Sequence, residues 1–197
     1  MENTKLQLQK AIEVVRNGGI IIFPTDTAFG IGVRIDNHAA VDKLFNLRRR
    51  PPTQAMPVLV DSIDMALQYF DSPSHIVRRF IKEYWPGGLT IIAQCKKNLI
   101  YSPIRGGGDT VGLRMPNHLV ILEIIKGVGM PILGPSANFH GEKTPFEFED
   151  IDKNLIRLVD YVVHGECTVK RVSTVIDCTV KPWRIIREGA VEISNIK

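Results

Sequence analysis

The sequence predicts an α/β fold built on one mixed β-sheet with helices packed on its faces. Three observations carry that expectation. Short apolar runs without polar alternation, among them Ile20–Phe23, Leu89–Ala93 and Ile132–Leu133, have the pattern of strands buried on both faces. Other stretches place their apolar residues at helical spacing. The two kinds of segment follow no strict strand–helix–strand rhythm, which points to one sheet flanked by helices.

Taken in order, Leu6, Ala11, Ile12 and Val15 share a helical face, and Gly18-Gly19 ends that helix. Ile20–Phe23 follows as a strand and Pro24 closes it. A polar turn, Thr25-Asp26-Thr27, leads to Gly30 and Gly32. Asn37 is placed to cap a second helix with Val41, Leu44 and Phe45 inward, which runs into Arg48-Arg49-Arg50 before Pro51-Pro52 breaks the chain. Val58–Val60 reads as a strand, Ser62–Phe70 and Pro73–Tyr84 as helices, and Leu89–Ala93 and Val111–Leu113 as strands. Leu119–Lys126 reads as a helix before the strand Ile132–Leu133. Leu158–Val163, Ser173–Cys178 and Arg184–Ile186 read as closing strands, separated by loops with Gly165, Pro182 and Gly189. With no repeat and no low-complexity linker, residues 1–197 are expected to form a single domain.

Composition narrows the function. Hydrophobic residues at 44% and charged residues at 23% exclude intrinsic disorder and a collagen-like or disulfide-stapled chain. The apolar runs are far shorter than the roughly 18 residues of a membrane span. The opening MENTKLQLQK has no apolar signal core, so a cytoplasmic protein with no membrane association is expected. Cys95, Cys167 and Cys178 are widely spaced and read as reduced thiols. The net charge of +4 permits an anionic ligand or a transient RNA partner without requiring either.

The informative polar residues follow the apolar strands, where α/β folds place their sites. Thr25-Asp26-Thr27 is either a self-bonded turn or a ligand contact. Arg48-Arg49-Arg50 would cap a helix C-terminus, and its planar guanidiniums would also clamp phosphate oxygens in pairs. Trp85-Pro86-Gly87-Gly88 is expected to be a structural reversal, and Arg105-Gly106-Gly107-Gly108 a flexible turn, since no Gly-Lys-Ser/Thr follows. Arg114 at a strand end has few structural reasons to be there. Ser136 lacks the Gly-x-Ser-x-Gly elbow of a nucleophile, and none of the five histidines is at metal-ligand spacing.

Seven blocks occur in a telling order: Pro24-Thr25-Asp26-Thr27-Ala28-Phe29-Gly30; Arg48-x-Arg50-Pro51; Trp85-Pro86-Gly87-Gly88-Leu89-Thr90; Gly112-Leu113-Arg114-Met115-Pro116; Pro135-Ser136-Ala137-Asn138; Ser173-Thr174-Val175; and Ile186-Arg187-Glu188-Gly189. The series resembles the YrdC-like threonylcarbamoyl-adenylate synthases, from about Gly18 to Ile193. The resemblance implies a twisted mixed sheet around a deep, positively charged cavity, the YrdC-like (RibB-like) fold in its short, single-domain form. It implies that L-threonine, bicarbonate or CO2, and ATP with its Mg2+ give threonylcarbamoyl-AMP and pyrophosphate. Downstream transferase proteins would carry the threonylcarbamoyl group to tRNA, to which this chain itself would bind weakly. Thr27, Arg114, Ser136 and Ser173 would contact threonine, and Arg50, Thr110, Asn138 and Arg187 the nucleotide. Arg48, in place of the usual Lys, and Arg50 would stabilise charge on the departing pyrophosphate, with no metal held by the protein itself. Several positions depart from the pattern: Phe29 lacks a phenol hydroxyl, His140 replaces a common Ser, and Phe146 stands at a common Thr. Two other readings fit the residues: a non-catalytic RNA-binding or ribosome-maturation module, and a paralogue with altered substrate.

Overall fold

A computed structural model of the chain describes residues 2–193. In chain order the elements are α1 (Glu2–Arg16), β1 (Ile21–Phe23), β2 (Gly30–Gly32), α2 (His38–Leu47), β3 (Val58–Leu59), α3 (Ile63–Tyr69), α4 (His75–Tyr84), β4 (Leu89–Gln94), β5 (Thr110–Arg114), α5 (Leu119–Val128), β6 (Ile132–Leu133), α6 (Lys153–Leu158), β7 (Tyr161–Val162), β8 (Thr174–Asp177) and β9 (Arg184–Arg187). The class is mixed α/β, as the segment pattern predicts. Local chemistry explains the helix starts. Asn37 accepts from the Ala40 N–H at 3.1 Å and Ser62 from the Met65 N–H at 3.2 Å, each meeting a first-turn donor that the helix cannot.

The strands pair as two mixed sheets, ordered β2-β1-β7 and β6-β3-β5-β4-β8-β9, where the pattern suggests one. In the larger sheet β3 runs parallel to β5 and β4 parallel to β8, while β6, β5 and β9 make antiparallel pairs with β3, β4 and β8. A ladder of backbone bonds nevertheless joins the sheets. Ile31 and Ile35 donate to the carbonyls of Pro135 and Pro131, Leu133 donates to Val33, and Ala137 donates to Phe29. Pro131 and Pro135 have no N–H to return, so regular pairing is interrupted at this seam.

Burial follows the alternation of a strand covered on both sides. Ile20 and Ile22 belong to one apolar core with Leu44 and Phe45 of α2 and Phe80 of α4. Ile21 and Phe23 face the other way into a second core, with Ala11 and Val15 of α1 and Ile121, Ile124 and Ile125 of α5. Two segments differ from the sequence reading. Gly30–Gly32, to which the residue pattern assigns no element, is a strand, and the glycines permit close approach at the seam. The expected strand Leu158–Val163 is only Tyr161–Val162, because Asp152 accepts from the Asn154 N–H at 2.6 Å and starts α6, which carries Leu158.

A Cβ at Gly32 would lie 1.9 Å from the Leu133 carbonyl oxygen, a backbone atom that cannot turn aside. Gly32→Ala is therefore expected to push the sheets apart at the seam and to cost about 3 kcal/mol of stability. Urea denaturation checks this, as a lower midpoint at unchanged slope.

Candidate functional site

The loops at the seam and at the neighbouring strand ends enclose a cleft of about 170 Å3. That is room for a group of amino-acid size, below the roughly 300–1,000 Å3 of pockets that enclose drug-sized ligands. Four arginines, Arg48, Arg50, Arg114 and Arg187, line it with Thr25, Thr27, Ser136, Thr144 and Ser173, and no acidic side chain lines it. The lining calls for an anion.

Arg114, the last residue of β5, is buried to 6% exposure. Its guanidinium donates from Nη2 to the Asp26 carboxylate, from Nη1 to Thr27 Oγ1 at 2.6 Å, and from Nε to the Gly87 carbonyl at 2.9 Å. Burial lowers the pKa of the guanidinium, and Asp26 offsets part of that shift. These three bonds leave two of the five guanidinium N–H groups for a ligand. The turn after β1 is self-bonded: Thr25 Oγ1 accepts from the Thr27 and Ala28 N–H groups and bonds the Ala28 carbonyl at 2.7 Å. The self-bonded turn thereby places Thr25 and Thr27 on the cleft wall.

On the opposite wall, Ser173 Oγ lies 2.9 Å from Thr90 Oγ1 and accepts from Arg187 Nη2 at 2.9 Å. Arg187 Nε donates to the Ser173 carbonyl, so one hydroxyl and one rim cation move as a unit.

The arginine corner after α2 closes the third side. Arg48 is 2% exposed. Its Nε donates to the Asn138 carbonyl at 3.0 Å, and its Nη1 is buried with no partner. Burial, reinforced by the charge of Arg50, pulls the Arg48 guanidinium down to about 10, which leaves it charged at neutral pH. Arg50 is anchored by Nε to the Gln54 carbonyl at 3.0 Å and by Nη2 to the Ala55 carbonyl at 2.6 Å.

The fold thus gathers Thr27, Arg48, Arg50, Arg114, Ser136, Ser173 and Arg187 around one cleft, and leaves Thr110 and Asn138 off its wall. Thr110 begins β5, four residues or about 13 Å from Arg114 at roughly 3.3 Å per residue. Asn138 donates from Nδ2 to the Phe139 and Glu142 carbonyls, so it shapes the loop that holds Arg48. Phe146 lies in an adjacent pocket with Phe148 and Cys167, which meets the cleft at Phe29. The Cys167 thiol is pushed up to about 11 by burial and is not a nucleophile at neutral pH. Gly106–Gly108 is not on the cleft wall, and a Cβ at Gly106 would meet the Thr53 carbonyl at 2.7 Å. Trp85 is buried with its N–H on the Leu89 carbonyl at 2.7 Å, as a structural residue should be. Sequence reasoning did not assign Thr144 to the wall or Asp26 and Gly87 to Arg114. A carboxylate between two threonines was the available signal for Asp26.

Among the described residues no group of three His, Cys, Asp or Glu could hold a metal ion. Asp26, between the cleft-lining Thr25 and Thr27, is paired with Arg114. A resident Mg2+ therefore does not fit these residues.

Fold and cleft together define an α/β domain with an arginine-lined cleft at its strand ends. The chain belongs to the Sua5/YciO/YrdC family, whose model, described as "Telomere recombination", matches residues 13–189. It is 30% identical to the threonylcarbamoyl-AMP synthase of Bacillus subtilis over 97% of this chain and 56% of that protein. The crystal structure of Pyrococcus abyssi Sua5 complexed with L-threonine superposes at a TM-score of 0.88 with 28% identity, covering 92% of this chain and 54% of the other. Escherichia coli YciO superposes at 0.84 with 26% identity, covering 94% and 90%. The chain thus spans little more than half of the synthase and Sua5 chains and nearly all of YciO. Among the described residues no helix is long and apolar enough to cross a membrane.

Removing the Asp26 carboxylate strands a buried cation. Asp26→Ala is expected to cost roughly 3–5 kcal/mol by urea denaturation. Asp26→Asn, which keeps an acceptor oxygen for Arg114, is expected to cost less.

Proposed function

We propose that this chain is an L-threonylcarbamoyladenylate synthase, making threonylcarbamoyl-AMP and pyrophosphate from L-threonine, bicarbonate or CO2, and ATP. The observation that carries the reading is one cleft offering two kinds of anion site. One is Arg114, pinned with two N–H groups free beside the hydroxyls of Thr27 and Ser173. The other is the Arg48–Arg50 corner with its unmet Nη1. The threonine complex of the Pyrococcus protein supports the first site.

In this reading Arg114 takes the threonine carboxylate, and Thr27, Ser136 and Ser173 take its hydroxyl and amine. The amine attacks the carbon of CO2 with loss of a proton to water, or that of bicarbonate with loss of water, and the resulting carbamate oxygen attacks the α-phosphorus as pyrophosphate leaves. Negative charge then gathers on the phosphates. Arg48, Arg50 and Arg187 are the cations placed to meet it, already oriented and partly shielded from water. Mg2+ enters as part of the Mg-ATP substrate. The cleft offers no general base, so the residues act by holding reactants together and neutralising charge. Thr110 receives no role here, and Asn138 acts on the nucleotide through Arg48. The product would pass to the transferase proteins that modify tRNA.

A second reading has one observation in its favour. The chain matches YciO over nearly the whole of both proteins, and Phe146 turns into the pocket beside Phe148 rather than onto the cleft. A paralogue with the same cleft and a different acceptor would fit that.

Pyrophosphate release from Mg-ATP separates the two readings, being dependent on both L-threonine and bicarbonate only for the synthase. Release that ignores threonine overturns the proposal. Arg50→Ala is expected to lower turnover by at least 100-fold, about 3 kcal/mol of transition-state stabilisation, with the fold intact by circular dichroism. Arg114→Ala is expected to weaken threonine binding more than ATP binding in calorimetric titrations. The opposite order would show that the two subsites are exchanged.

A further inference from the structure

Three consecutive arginines meet three consecutive residues of the loop after β6. Arg48 Nε donates to the Asn138 carbonyl, the Arg49 guanidinium stands 4.6 Å from the centre of the Phe139 ring, and Arg50 Nη1 lies 3.2 Å from His140 Nδ1. The His140 N–H returns a bond to the Arg48 carbonyl at 2.8 Å. The loop that carries Ser136 is thereby clasped to the corner that carries the phosphate-directed cations.

One contact in this clasp fixes the tautomer of a ring. A guanidinium has only donors, so His140 Nδ1 must accept and the neutral ring carries its proton on Nε2. The Gln54 and Ala55 carbonyls hold Arg50 from its own segment, and His140 holds it from the loop after β6. We propose that His140 is a positioning residue for Arg50, whose imidazole acceptor aims the two remaining guanidinium N–H groups at the ligand. This rests on reading the corner as a phosphate site.

Calorimetric titration with ATP, and separately with inorganic pyrophosphate, tests this on the full chain. His140→Ala is expected to weaken both about tenfold at pH 8, the effect of one hydrogen bond to a charged group. His140→Asn places an amide oxygen where Nδ1 stands and cannot titrate, and is expected to bind within about twofold of wild type. Rescue by the Asn variant separates loss of the acceptor from loss of the side chain's bulk. If the Ala variant matches wild type while Arg50→Ala still abolishes binding, the role of His140 is overturned and the phosphate site stands. Wild-type protein that binds neither ligand overturns both.

Discussion

The buried ion pair between Asp26 and Arg114 joins the loop after β1 to the end of β5, strands that belong to different sheets. A guanidinium so far from water needs its donors met, and the protein meets them from three directions. Asp26 and Thr27 come from one sheet's loop, and Gly87 from the reversal before β4. The Asp26 carbonyl in turn accepts from the Val169 N–H at 2.7 Å, which ties down the segment leading to Ser173. Most of the amino-acid side of the cleft is therefore positioned by this one charge. The cost of burying Arg114 is tolerable because the same bonds fix the walls around it.

The Arg48–Arg50 corner works on the opposite principle. Arg48 is as buried as Arg114 but has no carboxylate beside it, and one of its nitrogens is unmet. Its lowered but still neutral-range-charged state reflects a cation held out of water without a counter-charge. Such an arrangement destabilises the empty fold and strengthens attraction for an arriving anion, because the site's dipoles and charges need not reorganise. The Asn138–His140 loop makes that possible by gripping all three arginines from outside the cleft.

Much of this architecture could be read along the chain. The uninterrupted run Ile20–Phe23 marked a doubly buried strand, and its side chains do divide between two cores. Asn37 marked the start of α2, and the polar residues after the strands marked the cleft. What escaped the reading were features with weak local signals. Gly30–Gly32 has too little side chain to show strand periodicity, α6 is only six residues long, and Thr144 sits in a loop with no flanking pattern. Asn138 and Thr110, which the resemblance places at the nucleotide, stand respectively in the loop that holds Arg48 and at the first residue of β5.

By itself the sequence determined the α/β class, the order of nearly all elements, and which arginines and hydroxyls were candidates for chemistry, because hydrophobic periodicity and turn residues act over a few positions. Only the tertiary structure decided that the sheet is split at a proline-bearing seam, that Asp26 and Gly87 belong to Arg114, and that His140 reaches Arg50. Those contacts join residues from 27 to 108 positions apart. Their partners are chosen by how the strands stack, a property of the packed chain as a whole and of no local stretch within it.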